Sequence, residues 1–112
     1  MQYLMLIYVN EKEPVPEQTL AQYGVLRKEL IEGGKLLGAN RLQSVTTATT
    51  VRVRGGKTAV TDGPFAETRE QLGGYMLIDV KDLDEAIAIA ARIPLARTST
   101  VEVRPVREGP PK

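Results

Sequence analysis

Two stretches of the chain are apolar at nearly every position. Tyr3 to Val9 is a short, uninterrupted run of aliphatic and aromatic residues, and Gly74 to Val80 is a similar run that only Asp79 interrupts. Runs of this length and composition are typical of strands covered on both faces. We therefore predict that these two strands lie at the centre of a sheet.

Apolar residues at helical spacing predict a first helix from Glu17 to about Glu32. Pro16 suits the first helical position, and Gly33 with Gly34 ends the helix. Arg27 projects from the apolar side, either as an anion-binding group or, more commonly, as a chain whose stem covers apolar surface. The predicted apolar side consists of Leu20, Tyr23, Leu26, Leu30 and Ile31.

A second helix is predicted to begin after Asp82, which stands three residues before Glu85 in the spacing of an N-terminal capping box. Pro94 prevents the helix from continuing. Its predicted apolar side consists of Leu83, Ala86, Ile87, Ala90 and Ile93.

Alternation at period two predicts a β-hairpin around Gly55-Gly56. In this register Val51 and Val53 lie opposite Val60 and Thr58 on one face. Two further strands are predicted, and the chain is expected to end in a loose tail. The strands run over residues 35–42 and 100–106, and the tail is Glu108 to Lys112.

Without the hairpin, the order of elements is β-α-β-β-α-β, which predicts a single α+β, ferredoxin-like domain over residues 1–106. Both helices would cover one face of the sheet. The apolar residues on the other face would then be exposed, and such a patch usually marks an interface. We therefore expect a homodimer in which two sheets face each other.

The composition excludes several classes of partner and catalytic group. The 112 residues include 15 basic and 14 acidic side chains, so the net charge of +1 gives no electrostatic case for nucleic acid or membrane partners. Neither His nor Cys occurs, which removes the usual general base and the commonest metal ligands. No cofactor, metal site, signal peptide or membrane span is predicted, so cytoplasmic residence is expected by default.

The segment around Asp62 is the candidate site. Gly63 and Pro64 place a turn directly after Asp62, at the end of a predicted strand. Asp62 is either a general base facing a cleft or, as is commoner, an acceptor for backbone N–H groups in the turn. Phe65 follows the turn and is predicted to fill the core, with contact to a ligand as the less common alternative.

These residues also carry a family resemblance. The run from Thr61 to Thr68, continued by Glu70 to Tyr75, resembles the DGPF-type branch of the YCII-related proteins. The likeness extends over the first, middle and last strands. It implies a small dimeric α+β-barrel protein, often considered enzyme-like and commonly found beside sigma factors of the extracytoplasmic-function type. Related proteins are thought to pair an Asp with a His, and this chain has no His.

Three functions remain open at this stage. The first is a small-molecule binder or enzyme with a cleft near Asp62, in which Glu67 or Glu70 assists. The second is a regulatory module that binds a sigma factor. The third is a cofactor-independent monooxygenase with a cavity lined by Met5, Met76, Leu77 and Tyr75, although these residues are more readily explained as core. The candidate residues are Asp62 for catalysis, and Tyr8, Arg27, Phe65, Glu70 and Tyr75 for substrate binding.

Overall fold

The computed structural model describes residues 1–108, a mixed α+β chain with two helices and six strands. Short 3₁₀ turns occupy Val45–Thr47 and Pro94–Arg97. The predicted tail falls outside the described residues, except for Glu108, which has no regular structure. In chain order the elements are β1 (Gln2–Val9), α1 (Glu17–Glu32), β2 (Leu36–Arg41), β3 (Thr49–Arg54), β4 (Lys57–Asp62), β5 (Gln71–Asp79), α2 (Leu83–Arg92) and β6 (Thr100–Pro105).

Four strands form the main sheet in the order β2-β5-β1-β6, and every pairing is antiparallel. The two most apolar strands, β1 and β5, are therefore central, as predicted. Met5 lies opposite Met76, and Tyr3 lies opposite Ile78, on the face that both helices cover. Within one chain the other face has no such cover, and its central Leu4 and Leu6 are half-buried. We call it the open face.

The core lies between the sheet and the two helices. Met5, Met76, Ile78 and Ile93 are its largest fully buried side chains, which assigns both methionines to packing. The remaining buried members are Tyr3, Ile7, Leu26, Leu30, Val80, Ala86, Ile89 and Ala90.

Three residues predicted for the helical apolar sides are exposed instead. Ile31 is 58% exposed because it follows Leu30 by about 100° around the helix, which carries it away from the sheet. On α2, Leu83 and Ile87 are also exposed, whereas Ile89 is buried. Positions 86, 89, 90 and 93 share one face at the i, i+3, i+4, i+7 spacing, and that face meets the sheet.

The helix ends follow local chemistry. The bounds of α1 agree with the prediction, but Pro16 is the N-cap residue and not the first helical residue. Gly34 has a positive φ of 70°, which lets the chain reverse while the Lys35 N–H donates to the Leu30 carbonyl at 2.9 Å. Asp82 caps α2 as predicted, because its carboxylate accepts from the Glu85 N–H at 2.9 Å.

Strands β3 and β4 pair only with each other, and we call this segment, Thr49–Asp62, the arm. The predicted register is confirmed, with Val51 opposite Val60 and Val53 opposite Thr58. Gly55 and Gly56 have φ values of 58° and 76°, the paired positive angles of a tight hairpin turn. Every residue from 51 to 62 is exposed, so the arm projects from the body of the subunit.

The arm makes the molecule broad and thin. The radius of gyration is 16.1 Å, compared with about 13 Å for a compact domain of this length. The principal extents are 47 × 43 × 19 Å. The arm is anchored at its base, where the Gly63 N–H donates to the Ala48 carbonyl and the Thr50 hydroxyl donates to the Gly63 carbonyl, both at 2.7 Å.

Candidate functional site

A cavity of about 290 Å³ opens where the carboxyl ends of β1 and β2 meet the first half of α1. Ligand sites in proteins are usually concave and apolar, with a few polar groups that converge on them. This cavity has that composition. Its apolar lining comes from Ile7, Val9, Val15, Leu20, Leu42 and Leu95, and its polar and charged lining from Asn10, Glu11, Glu13, Thr19, Tyr23, Arg41 and Ser44.

The loop between β1 and α1, residues 10–16, forms one wall of this cavity. A second hollow of about 370 Å³ adjoins the cavity and is lined in part by the same loop. Glu11 fixes the loop to the segment that leads into the arm. Its carboxylate accepts from the Ser44 hydroxyl at 2.8 Å and from the Val45 N–H at 3.1 Å. The Glu11 carboxylate therefore joins the wall of the cavity to the segment that leads into the arm.

Tyr23 and Arg41 are the polar groups best placed to recognise a ligand. Burial raises the pKa of Tyr23, while the positive charges of Arg27 and Arg41 lower it to a smaller extent. The phenol therefore remains protonated at neutral pH and can donate a hydrogen bond. Tyr23 and Arg41 both line the cavity, and Arg41 is close enough for its positive charge to act on the phenol.

This pKa shift predicts how stability depends on pH. The folded state holds the Tyr23 proton more tightly than the unfolded chain does, so the contribution is fully present below the unfolded pKa of about 10 and is lost as pH rises through the folded pKa. We expect the free energy of unfolding to fall more steeply above pH 10 in the wild type than in Tyr23→Phe. Urea titrations from pH 8 to 11 measure this difference, and parallel pH profiles would contradict it.

Two glycines let the backbone pass closely beneath the cavity. A Cβ on Gly74 would lie 3.0 Å from the Asn40 carbonyl oxygen, and one on Gly73 would lie 2.6 Å from a Val9 methyl group. The Val9 side chain can rotate, but the Asn40 carbonyl belongs to the paired backbone of β2. Gly74 is therefore the less replaceable of the two residues.

We expect Gly74→Ala to destabilise the fold by about 1–3 kcal/mol, because the added methyl group overpacks this crossing. Gly24→Ala is the matched control, since no atom lies within 4 Å of a Cβ at that exposed helical position. There alanine is expected to stabilise the protein by roughly 0.5–1 kcal/mol. Thermal unfolding of both variants measures the difference, and equal melting temperatures would refute the close-packing argument.

Asp62 and Phe65 both lie away from the cavity. Asp62 ends β4 with an exposed side chain, at the base of the arm, and it does not line the cavity. Phe65 is 80% exposed, so the prediction that it fills the core is wrong. Gly63, with a φ of 95°, and Pro64 turn the chain at the end of the arm, where no core is within reach.

Tyr8 and Tyr75 lie on the open face, opposite to the cavity. The Tyr8 hydroxyl donates to the Glu102 carboxylate at 3.3 Å, and the Tyr75 hydroxyl accepts from the Asn40 amide at 2.8 Å. Burial, followed by the negative charge of Glu102, raises the pKa of Tyr8. These two tyrosines share a surface with Leu4 and Leu6 rather than with Tyr23.

Arg27 and Glu70 are half-buried, and each has one buried side-chain atom without a hydrogen-bond partner. These atoms are Arg27 Nε and Glu70 Oε1, and no other such side-chain atoms occur in the described part of the chain. Buried polar groups are nearly always hydrogen-bonded, so each of these atoms needs a partner that its own chain does not supply, and ordered water is a common one. Neither residue lines the cavity.

The sequence assigned Tyr23 to the apolar side of α1 and left Arg41 and Glu11 without a role. Their shared position depends on the strand order, which brings the ends of β1 and β2 to the same edge of the sheet. Only the Gly-Gly pair at positions 73–74 signalled this place, because a glycine inside a strand often marks a close backbone approach.

Residues 1–108 hold neither a metal-binding cluster nor a helix that could span a membrane. No group of three or more acidic side chains there is arranged to hold a metal ion. Neither helix is long and apolar enough to cross a membrane.

Fold and cavity together define a small α+β protein with a candidate ligand site at one edge of its sheet. The chain belongs to the YCII-related family, since the YCII-related domain matches residues 1–109. It is also 40% identical to an uncharacterized protein of Rhizobium meliloti (strain 1021), over an alignment that covers 95% of this chain and 92% of the relative.

Proposed function

We propose that this protein binds a small organic molecule in the cavity between β1, β2 and α1, and that it works as a homodimer of ferredoxin-like subunits in the DGPF-type branch of its family. The cavity is the observation that carries the proposal. At about 290 Å³ it lies at the lower end of the size range of ligand pockets. The strand order β2-β5-β1-β6, with both helices on one face, supports the ferredoxin-like assignment.

The lining indicates the ligand's chemistry. An apolar body would pack against Ile7, Leu20 and Leu95. A carbonyl or carboxylate oxygen would accept from the Tyr23 hydroxyl and face the Arg41 guanidinium. A small carboxylic acid with a hydrocarbon part meets both requirements. Glu11 and Glu13 disfavour a second negative charge at the loop wall.

We propose that Asp62 has a catalytic role only in the assembled dimer. Within one chain its carboxylate is exposed and remote from the lining of the cavity. A second copy is what would bring another surface to it. Asp62→Asn is then expected to leave ligand affinity unchanged and to abolish any turnover found, as measured by product formation. Turnover at the wild-type rate would remove Asp62 from the site.

The binding proposal is tested with a panel of small carboxylic acids screened by ligand-observed NMR. We expect at least one member to bind the wild type, with affinity reduced about tenfold or more by Tyr23→Phe or Arg41→Ala, as is typical for loss of a hydrogen bond to a charged group. Tyr8→Phe is the matched control, because it removes the same hydroxyl from the open face. Equal losses in the cavity variants and the control would refute the cavity as the site.

A second candidate is a non-catalytic regulatory module that binds a sigma factor. The exposed apolar arm favours it, because Phe65 and the valines of β3 and β4 give a partner protein a surface to cover. Co-purification with an extracytoplasmic-function sigma factor from the same genome tests this candidate. Complex formation that survives Tyr23→Phe but not substitutions in the arm would favour it over ligand binding.

A further inference from the structure

The arm has two chemically different faces, and neither packs on its own subunit. Val51, Val53 and Val60 lie on one face and are 58%, 57% and 64% exposed. The opposite face carries Arg52 and Arg54. In a hairpin surrounded by water, exposed valines on one face bury no apolar surface and so add little stability. An isolated two-stranded sheet is at best marginally stable in water. The apolar face is therefore built to be covered.

The open face of the main sheet is the complementary feature. Leu4 lies opposite Leu77, and Leu6 lies opposite Tyr75, so the two central strands place apolar side chains side by side there. Glu102 and Arg104 of β6 border them. Neither helix covers this face, and the arm, which follows the edge strand β2, projects away from the body.

Building on the proposed dimer, we infer that each arm reaches across to the second copy. The valines of the arm then pack against the edge of the apolar interface that the two open faces form. Each chain thus has two uncovered apolar surfaces. One is the valine face of the arm, and the other is the open face of the main sheet. In a two-fold pair each of these features is used twice, which makes a second copy the fitting occupant.

The areas involved support participation of the arm. Four strands about 4.8 Å apart and about 20 Å long cover roughly 400 Å² in projection. A typical stable interface buries about 800 Å² of accessible surface per partner, so a larger apolar face favours a stable pair. The arm adds two strands of six residues each, or roughly 200 Å² more on one face. The extended shape, with its radius of gyration of 16.1 Å, fits a subunit that is compact only when paired.

The test compares two double variants in β3, V51N/V53N on the apolar face and R52N/R54N on the opposite face. Both change exposed residues, so the subunit fold is retained, and circular dichroism verifies this. We expect the dimer dissociation constant, measured by sedimentation equilibrium, to rise at least tenfold in V51N/V53N and to change less than twofold in R52N/R54N.

An independent readout uses the absence of cysteine from the chain. A polarity-sensitive dye on Val60→Cys is expected to shift to the blue as the concentration rises through the dissociation constant. The same dye on Ala59→Cys, which points to the opposite face, is expected to stay unchanged. This measurement reports on the arm without altering β3.

The outcomes separate the arm from the dimer. If V51N/V53N dimerises like the wild type and the dye at position 60 does not respond, while Leu6→Glu still dissociates the dimer, the arm inference is wrong and the dimer stands. If the wild-type protein is still a monomer at a concentration 100-fold above micromolar, both the arm inference and the proposed dimer are wrong. A dye response only upon addition of a sigma factor overturns the second copy as the occupant.

Discussion

Replacing Leu6 by glutamate is expected to convert the protein into a monomer. Leu6 lies at the middle of the open face, opposite Tyr75 on one neighbouring strand and Glu102 on the other. In the proposed dimer the new carboxylate would be buried without a partner and would repel Glu102. We expect the dissociation constant to rise on the order of 100-fold or more, equivalent to about 3 kcal/mol.

Sedimentation equilibrium and light scattering measure this change, and Val25→Glu provides the matched control. Val25 is 60% exposed on α1, so the same change from an aliphatic to an acidic residue there leaves the open face intact. Because Leu6 belongs to the face away from the core, far-UV circular dichroism of Leu6→Glu should match that of the wild type. A dimer of unchanged affinity would show that the open face is not the interface.

Replacing Ile78 by alanine is expected to cause the largest loss of subunit stability. Ile78 is fully buried, opposite Tyr3 in the paired strand and close to Leu36 on the other side. Truncation removes buried methyl groups and leaves a cavity, which typically costs about 2–5 kcal/mol. The melting temperature should fall by at least about 10 °C for a domain of this size.

Ile31→Ala is the matched control, because it makes the same change from isoleucine to alanine at an exposed position. Ile31 is 58% exposed, so its truncation should change stability by less than about 0.5 kcal/mol. Urea unfolding at one fixed protein concentration compares the two variants, since association shifts apparent stability. Comparable losses of stability in Ile78→Ala and Ile31→Ala would mean that the face of α1 that packs on the sheet has been assigned incorrectly.

Local patterns predicted the elements well because their causes are local. The bounds of α1, the cap at Asp82 and the register of the arm depend on residues within a few positions of each other. The assignment of faces was less accurate. Ile31 and Ile87 are as apolar as their buried neighbours, and only the direction in which each helix meets the sheet decides which of them is covered. That direction is set by tertiary packing.

The candidate site was harder to predict than the fold. Asp62 and Phe65 stood out because of their turn chemistry, yet that turn belongs to the base of a projecting arm and not to a cleft in its own subunit. Tyr23 and Arg41 stand eighteen positions apart in unremarkable sequence. They meet because β2 returns alongside α1, a contact that neither local spacing nor composition encodes.

The carboxylate of Glu11 joins the loop that lines the cavity to the segment that leads into the arm. It holds the cavity wall to Ser44 and Val45, which stand a few positions before Thr49 and form the root of the arm. A molecule that competes for Glu11 would free that root and alter the positions the arm can take. If the proposed pairing fixes the arm and the proposed ligand competes for Glu11, reciprocity requires each event to change the affinity of the other by the same factor.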